Sequence, residues 1–182
     1  MRNIGKLKHG PLLALFLTLV WTSPGCQRKF PERQTVEETE APTMASTVHM
    51  GDPRAARQLA RGFHDIEAHT WRWTMRQFSV YLRPPPGSAR KGAVLTLNLT
   101  VPPAVLQTQK TISLSASVNG DRLRAETWTK PGDYTYQCDV PAAWLTGDAV
   151  RVDFELDKAM PPSERDAREL GVVVSRVGLE LK

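Results

Sequence analysis

Hydrophobic and polar residues alternate in short segments through the later two-thirds of the chain. A period of two is typical of strands that bury one face. Four segments show it most clearly, and they are 93–101, 111–118, 150–156 and 172–181. Shorter segments of the same kind predict further strands, and they lie at 58–63, at 78–82 and, as a pair, within 124–139.

Turn-forming residues separate these segments. Asn119-Gly120 is a strong turn dipeptide, and similar Gly- and Pro-containing stretches stand between the other predicted strands. The only helical feature that the pattern predicts is a single turn at 141–145. Seven to nine short strands with regular turns predict an all-β domain, an antiparallel β-sandwich over residues 58–182.

The N-terminus has the layout of an export signal. Residues 1–10 are basic, residues 11–21 are almost wholly apolar, and TSPGC follows. An apolar run of this length is too short to span a bilayer, which needs about 20 residues. Residues 1–25 are therefore predicted to be a signal peptide.

Cys26 stands where a bacterial lipoprotein carries its acylated cysteine. The Gly25-Cys26 pair fits the lipobox, whereas Ser23 and Pro24 depart from it. We predict a lipid anchor at Cys26, with plain cleavage after Gly25 as the alternative. Either route gives an exported protein of the bacterial cell envelope, membrane-anchored in the first case and periplasmic or extracellular in the second.

Residues 26–57 are predicted to form a flexible linker. They are rich in Glu, Thr, Ala and Pro and poor in large apolar residues. Such a composition buries too little surface to offset the conformational entropy of the chain. After a lipidated cysteine, a linker of this kind would hold the folded domain away from the membrane.

The net charge of +5 does not indicate a nucleic-acid partner. Three of the 24 basic residues lie in the first 26 positions, and without them the net charge is +2. The other basic residues are scattered along the sequence rather than grouped in a stripe, which is the pattern that nucleic-acid binding favours.

Polar and aromatic side chains concentrate in GFHDIEAHTWRWT, residues 62–74. We interpret His64 and Glu67 as hydrogen-bonding groups on a loop between strands. A neutral imidazole donates and accepts while a carboxylate only accepts, and together they suit a polyhydroxy ligand. The spacing of His64, Glu67 and His69 matches no recognised metal site, and no phosphate-binding loop is present. The sequence therefore predicts no metal and no cofactor.

Trp71 and Trp73 would share one face of a strand, with Arg72 on the other face. Two interpretations of the indoles stay open. Either both belong to the core, or one lies exposed beside His64 and Glu67, where an indole packs against the C–H face of a sugar ring. Arg72 is either a clamp for a carboxylate or phosphate group or a partner in a surface salt bridge.

Four short motifs support a resemblance to a known family. They are Gly62, Phe63 and Glu67; Trp71, Arg72 and Trp73; Val118, Asn119 and Gly120; and Asp166, Arg168, Leu170 and Gly171. In these positions the chain resembles the β-sandwich modules that are fused to bacterial glycosyltransferases and other envelope polysaccharide proteins. The resemblance implies a jelly-roll-like sandwich with a carbohydrate-binding surface. By the same resemblance, that surface is lined by His64, Glu67, Trp71, Arg72 and Trp73.

The expected function is that of a non-catalytic, membrane-tethered module that binds carbohydrate or another component of the cell envelope. The alternative is a structural or assembly protein of the envelope that docks a partner protein. A glycosidase would need two carboxylates about 5–9.5 Å apart, such as Glu67 with Asp65, Glu155 or Asp166. No sequence feature places them so, and we predict that the protein is not an enzyme. We interpret the loop 160–170 as solvated, although one of its charged residues could instead reach the rim near His64.

Overall fold

The computed structural model describes residues 44–182. The predicted signal peptide, Cys26 and the linker residues up to 43 lie outside the described residues. Ten strands and two short α-helices form the described part: β1 Thr47–His49, β2 Leu59–Glu67, β3 Trp71–Leu82, α1 Ser88–Lys91, β4 Ala93–Val101, α2 Pro103–Gln109, β5 Ile112–Val118, β6 Asp121–Arg122, β7 Glu126–Trp128, β8 Gly132–Val140, β9 Val150–Leu156 and β10 Val173–Leu181. Within residues 44–182, neither helix has the length and apolar character that a membrane-spanning helix requires.

The strands form one continuous antiparallel sheet that curls into two layers. Its order is β6-β5-β9-β3-β10-β4-β8, while β1 pairs with β10, β2 with β3 and β7 with β5. The long strand β3 belongs to both layers. Its first residues pair with β10, with Trp73 opposite Val173, and its last residues pair with β9, from Gln77 to Leu82. The all-β, antiparallel β-sandwich predicted from the sequence is confirmed.

The core lies between the two layers and follows the predicted period of two. On β5 the side chains of Ile112, Leu114 and Val118 are fully buried, and the intervening serines are half-buried on the outer face. Phe78 of β3 stacks on Phe154 of β9, with ring centroids 4.9 Å apart. Each fully buried side chain of this size contributes roughly 1.5–3 kcal/mol relative to exposure.

The folded domain begins earlier than the sequence predicts. Residues 44–57, assigned to the linker, form β1 and a 3₁₀ turn at Pro53–Arg57. Val48 and Met50 are buried in the core, and the Asp52 side chain caps the turn by accepting from the amide of Arg54. The linker boundary at residue 57 is therefore wrong. β1 is held largely by backbone pairing with β10, which composition does not reveal.

The region around residues 62–74 is a hairpin rather than a strand followed by a loop. β2 extends to Glu67 and β3 already begins at Trp71, so His64 and Glu67 lie on a strand and their predicted loop position is wrong. Only three residues connect the strands. Ala68 and His69 adopt positive φ angles of 48° and 55°, the left-handed geometry of a tight hairpin turn that usually requires Gly or Asn.

Two helices were missed, and both are short. α2 begins with Pro103 after β4, where the ring of proline fits the first helical position. α1 follows the Pro-rich stretch 84–86 and has four residues. Runs of this length contain too few residues to show a helical period. The predicted single turn near 141–145 is present as a 3₁₀ turn at Ala142–Trp144.

Candidate functional site

The tip of the β2–β3 hairpin is the site where the predicted residues meet. The amide of Thr70 donates to the carbonyl oxygen of Glu67 at 3.1 Å and closes the turn. The segment after β1 packs directly on this tip, and a Cβ atom at Gly51 would lie 2.2 Å from the carbonyl oxygen of His69. Only glycine permits this approach, so the hairpin tip is fixed against the start of the domain.

Arg72 points into the molecule and is 8% exposed. Its Nε donates to the carbonyl oxygen of Met50 at 3.1 Å, and its Nη1 donates to the carbonyl oxygen of His64 at 2.9 Å. A buried guanidinium is tolerated only where its donors find acceptors. Arg72 therefore joins three segments of chain, its own strand, β2 and the turn after β1.

His64 connects the hairpin to the loop 157–172. Its Nε2 lies 2.7 Å from the carbonyl oxygen of Glu169, which is an acceptor only. The geometry therefore requires a proton on Nε2. The Glu169 carboxylate in turn accepts from the backbone amide of Arg76 on β3. The loop is thus bound to both strands of the hairpin.

Glu67 belongs to a network of ion pairs with the same loop. Nη1 of Arg168 donates to Oε1 of Glu67 at 2.7 Å, while Nη2 of Arg168 donates to Oδ2 of Asp166 at 2.9 Å. The side chain and backbone of Arg168 both donate to Asp166, and they lower the pKa of that carboxyl to about 2. The two carboxylates raise the pKa of Arg168 in return, chiefly because its guanidinium donates hydrogen bonds to Asp166. Asp166 and Arg168 therefore both stay charged at neutral pH.

Trp71 and Trp73 lie on the opposite face of β3 from Arg72. Both indoles are half-buried, and their rings meet edge to face with centroids 6.4 Å apart and planes at 80°. Trp73 also packs against the hydrophobic core, whereas Trp71 lies outside the core cluster. Trp71 is the Cα partner of Glu67 across the hairpin. One partly exposed indole therefore stands beside the ion pairs of Glu67 and Arg168, and we call these three side chains, with Trp73 and Asp166, the indole rim.

The structure brings four of the five predicted residues to one accessible edge and turns the fifth inward. Glu67, Trp71 and Trp73 belong to the indole rim, and His64 is half-buried next to it. Arg72 is engaged with backbone carbonyls inside the fold. That these residues bind a ligand stays a prediction.

Asp166 and Arg168 were not among the site residues predicted from the sequence. The sequence indicated only that one charged residue of the loop 160–170 could reach the rim near His64, and both Asp166 and Arg168 lie there. The sequence feature that pointed to them was the motif of Asp166, Arg168, Leu170 and Gly171, one of the four on which the family resemblance depends. Their distance from Glu67 along the chain, 101 residues for Arg168, gave no sign of the contact.

The side chains at this edge are engaged in hydrogen bonds and ion pairs. A glycosidase needs one carboxylic acid that is protonated near neutral pH, which requires a raised pKa. The pKa of Asp166 is instead lowered, and Glu67 accepts from the same guanidinium. Within residues 44–182, no group of three or more His, Cys, Asp and Glu side chains is arranged to hold a metal ion.

Comparisons with known proteins add little to this geometry. No family model matches the chain, and no curated protein matches it. Among solved structures, the chain is similar to one described as "CBM4 structure and function", with a TM-score of 0.33 and 11% identity over 75% of this chain and 85% of that chain. A similarity at this TM-score carries no argument, so the fold rests on the strand pairings themselves.

Replacing the buried arginine tests its structural role. Arg72→Met leaves two backbone carbonyls without their donors, so we expect the free energy of unfolding to fall by about 2–4 kcal/mol. Urea denaturation followed by circular dichroism measures it. Arg76→Met is the matched control, because Arg76 is an exposed arginine on the same strand whose ion pair with Glu155 spans 3.7 Å; its loss should be below about 1 kcal/mol. Equal losses would contradict the assignment.

The ion pairs of the rim predict a pH dependence on the acid side. The folded-state pKa of Asp166 is about 2, below the value of about 3.9 for an unfolded chain. Its contribution to stability is therefore complete above the unfolded pKa and is lost as pH falls through the folded pKa. We expect Asp166→Asn to flatten the stability profile between about pH 4 and pH 2. An unchanged slope in that window, measured by thermal unfolding at each pH, would show that the pairing is absent in solution.

Proposed function

We propose that the protein is an exported, non-catalytic β-sandwich that binds carbohydrate of the cell envelope through the indole rim. The observation that carries the proposal is the position of Trp71, a partly exposed indole fixed beside a charged hydrogen-bonding network. Indole rings provide a large apolar surface with little conformational freedom to lose. A sugar ring presents an apolar C–H face to such a surface and hydroxyl groups around its edge.

The ion pairs beside Trp71 supply the polar half of this recognition. Each carboxylate offers about four acceptor positions, and a guanidinium offers five donors. Arg168 uses its Nη1, Nε and Nη2 on Glu67 and Asp166. Each oxygen of Asp166 already accepts twice from Arg168, so Glu67 is the carboxylate that keeps acceptor positions for hydroxyl groups. Because two carboxylates share one guanidinium, the rim keeps a single net negative charge and suits a neutral polyhydroxy ligand better than an anionic one.

The contacts of His64 and Arg72 support a role in preorganisation. Both side chains are engaged with backbone carbonyls, His64 with Glu169 and Arg72 with Met50. They hold the hairpin and the loop 157–172 in place, so little ordering is required when a ligand binds. Preorganisation of this kind lowers the entropic cost of association.

Export and membrane attachment are part of the proposal and rest on the sequence pattern. The basic and apolar residues of 1–25 and the position of Cys26 support a signal peptide followed by a lipid anchor. The linker is shorter than composition indicates, since the fold already begins at residue 44. Seventeen residues, 27–43, then separate Cys26 from the first described residue of the domain.

A docking role is the second candidate, because tryptophan is also common at the centre of protein interfaces. The same half-buried Trp71 would then contact a partner protein of the envelope. The two functions differ in what the purified protein binds by itself, since only the first predicts retention by polysaccharide alone.

Truncation of the exposed indole tests carbohydrate binding. In affinity electrophoresis against a panel of polysaccharides, Trp71→Ala should weaken binding of any retarding polysaccharide by about tenfold, or ~1.4 kcal/mol. Tyr81→Ala is the matched control, since Tyr81 is an aromatic residue 38% exposed near the far end of the same strand, and it should migrate like the wild type.

Two outcomes would contradict the proposal. One is that Trp71→Ala is retarded as strongly as the wild type by every polysaccharide that binds. The other is that no polysaccharide binds the wild type while a Trp71-dependent partner is recovered from the envelope, which would favour docking. Trp73→Ala is a check on whether weaker binding comes from a lost contact or from lost stability. The Trp73 ring packs on the core, so its truncation should lower stability more than truncation of Trp71 does.

A further inference from the structure

The end of the sandwich where the chain enters the domain is basic. Arg83 follows the last residue of β3, and its amide donates to the carbonyl oxygen of Ala45 at 3.1 Å. The side-chain amide of Gln58, next to Arg57, donates to the carbonyl oxygens of Ala45 and Tyr81 at 3.0 and 2.7 Å. The first described residues therefore lie directly beside two arginines.

The helix α1 adds two more cations at the same end. Arg90 and Lys91 form its last turn, immediately before β4 begins. A Cβ atom at Gly87, which precedes the helix, would lie 3.7 Å from the side chain of Leu181, so α1 packs beside the end of β10. We call Arg57, Arg83, Arg90 and Lys91 the basic end.

The four cations are free to meet an external partner. All are exposed, and within residues 44–182 none has a carboxylate oxygen closer than 4.0 Å. Lys182, by contrast, is neutralised by Asp139 at 2.9 Å. Exposed cations without partners repel one another, and an anionic surface would relieve that repulsion.

Exposed apolar side chains accompany these charges. Three large apolar residues of the described chain are more than a third exposed, and two of them, Leu181 at 44% and Tyr81 at 38%, lie at the basic end. Cations together with a few exposed apolar and aromatic side chains are the combination that peripheral proteins present to the lipid headgroup region.

The surface around the indole rim has the contrary balance. The loop 160–170 carries three carboxylates against two guanidinium groups, and it lies at the start of β3 with the indole rim. β3 runs from Trp71 at the rim to Leu82 beside Arg83. An anionic surface would therefore attract the basic end rather than the indole rim.

We infer that the basic end is a docking surface for an anionic lipid bilayer. The bilayer is favoured over other polyanions because the chain enters at this end, downstream of the predicted signal peptide and Cys26 anchor. The inference goes beyond the proposed function and does not require the indole rim to bind carbohydrate. It shares with that function only the expectation that the N-terminal segment is anchored in a membrane.

The inference is tested with the full chain and vesicles of phosphatidylcholine with and without phosphatidylglycerol. The measured quantity is the binding constant for vesicles with phosphatidylglycerol divided by the binding constant for vesicles without it. Insertion of apolar N-terminal residues contributes equally to both constants and cancels from this ratio. We expect this ratio to exceed one for the wild type and to fall as NaCl is added. Near a membrane each cation contributes about fivefold to binding, so Arg83→Gln/Arg90→Gln/Lys91→Gln should lower the ratio by tenfold or more, roughly.

A matched control removes the same charge elsewhere. Lys110, Lys130 and Arg165 are exposed, lie at the opposite end and have no carboxylate partner within 4.0 Å among residues 44–182. Lys110→Gln/Lys130→Gln/Arg165→Gln should leave the ratio unchanged, and the thermal unfolding of both variants should match the wild type.

Three results would overturn the inference. The wild-type ratio could be one, or both triple variants could lower it equally, which would show a response to net charge alone. In the third, soluble dextran sulfate binds through the basic end while vesicles show no preference for phosphatidylglycerol, which would assign the surface to a soluble polyanion. None of these results bears on retention by neutral polysaccharide, so the two proposals fail separately.

Discussion

The hydrogen bonds of one buried guanidinium hold the functional end of the sandwich together. Arg72 donates to the carbonyl oxygens of Met50 and His64, and an arginine so deeply buried is stable only while those acceptors stay in place. It therefore fixes the turn after β1 and the irregular strand β2 relative to β3. The strand alternates, so an inward Arg72 requires Trp71 and Trp73 to face outward. The position of the indole rim thus follows from the burial of Arg72.

The strand β3 connects the two candidate surfaces of the molecule. At its start the strand carries the indole rim, and at its end it leads into the basic end. The strand also passes from one layer of the sandwich to the other, pairing with β10 and then with β9. A single continuous element therefore connects the proposed carbohydrate-binding surface with the proposed membrane-docking surface.

The sequence predicted those elements in which burial alternates regularly. β4 and β9 have the predicted bounds because their inward residues, such as Leu95 and Val152, alternate strictly with half-buried or polar ones. β1 was missed because its three residues are held by pairing with β10, which lies far along the chain. The strand predicted at 58–63 is shorter than β2, because register shifts near Phe63 interrupt the alternation of buried and exposed residues. A left-handed turn formed by Ala68 and His69 likewise has no signal in residue type.

The candidate site was located by its residue types, but the roles of its residues were not. A guanidinium, an imidazole and a carboxylate were all interpreted as groups that bind a ligand, yet Arg72 and His64 are engaged with backbone carbonyls, and Glu67 with Arg168. These partners are set by tertiary structure, in the case of Arg168 across most of the domain. Only the indoles have ring surface left for a ligand, because Trp71 packs against Trp73 rather than against the core.

The indole N–H resonances provide the most direct measurement of the central claim. Trp71, Trp73, Trp128 and Trp144 each give one such signal, and Trp128 is buried in the core at 4% exposure while Trp144 lies in the 3₁₀ turn beside α1. During titration with a polysaccharide that binds the protein, the account predicts that the Trp71 and Trp73 signals shift in proportion to bound ligand while the signals of Trp128 and Trp144 stay in place. Saturable binding that leaves the Trp71 and Trp73 signals unmoved would contradict it.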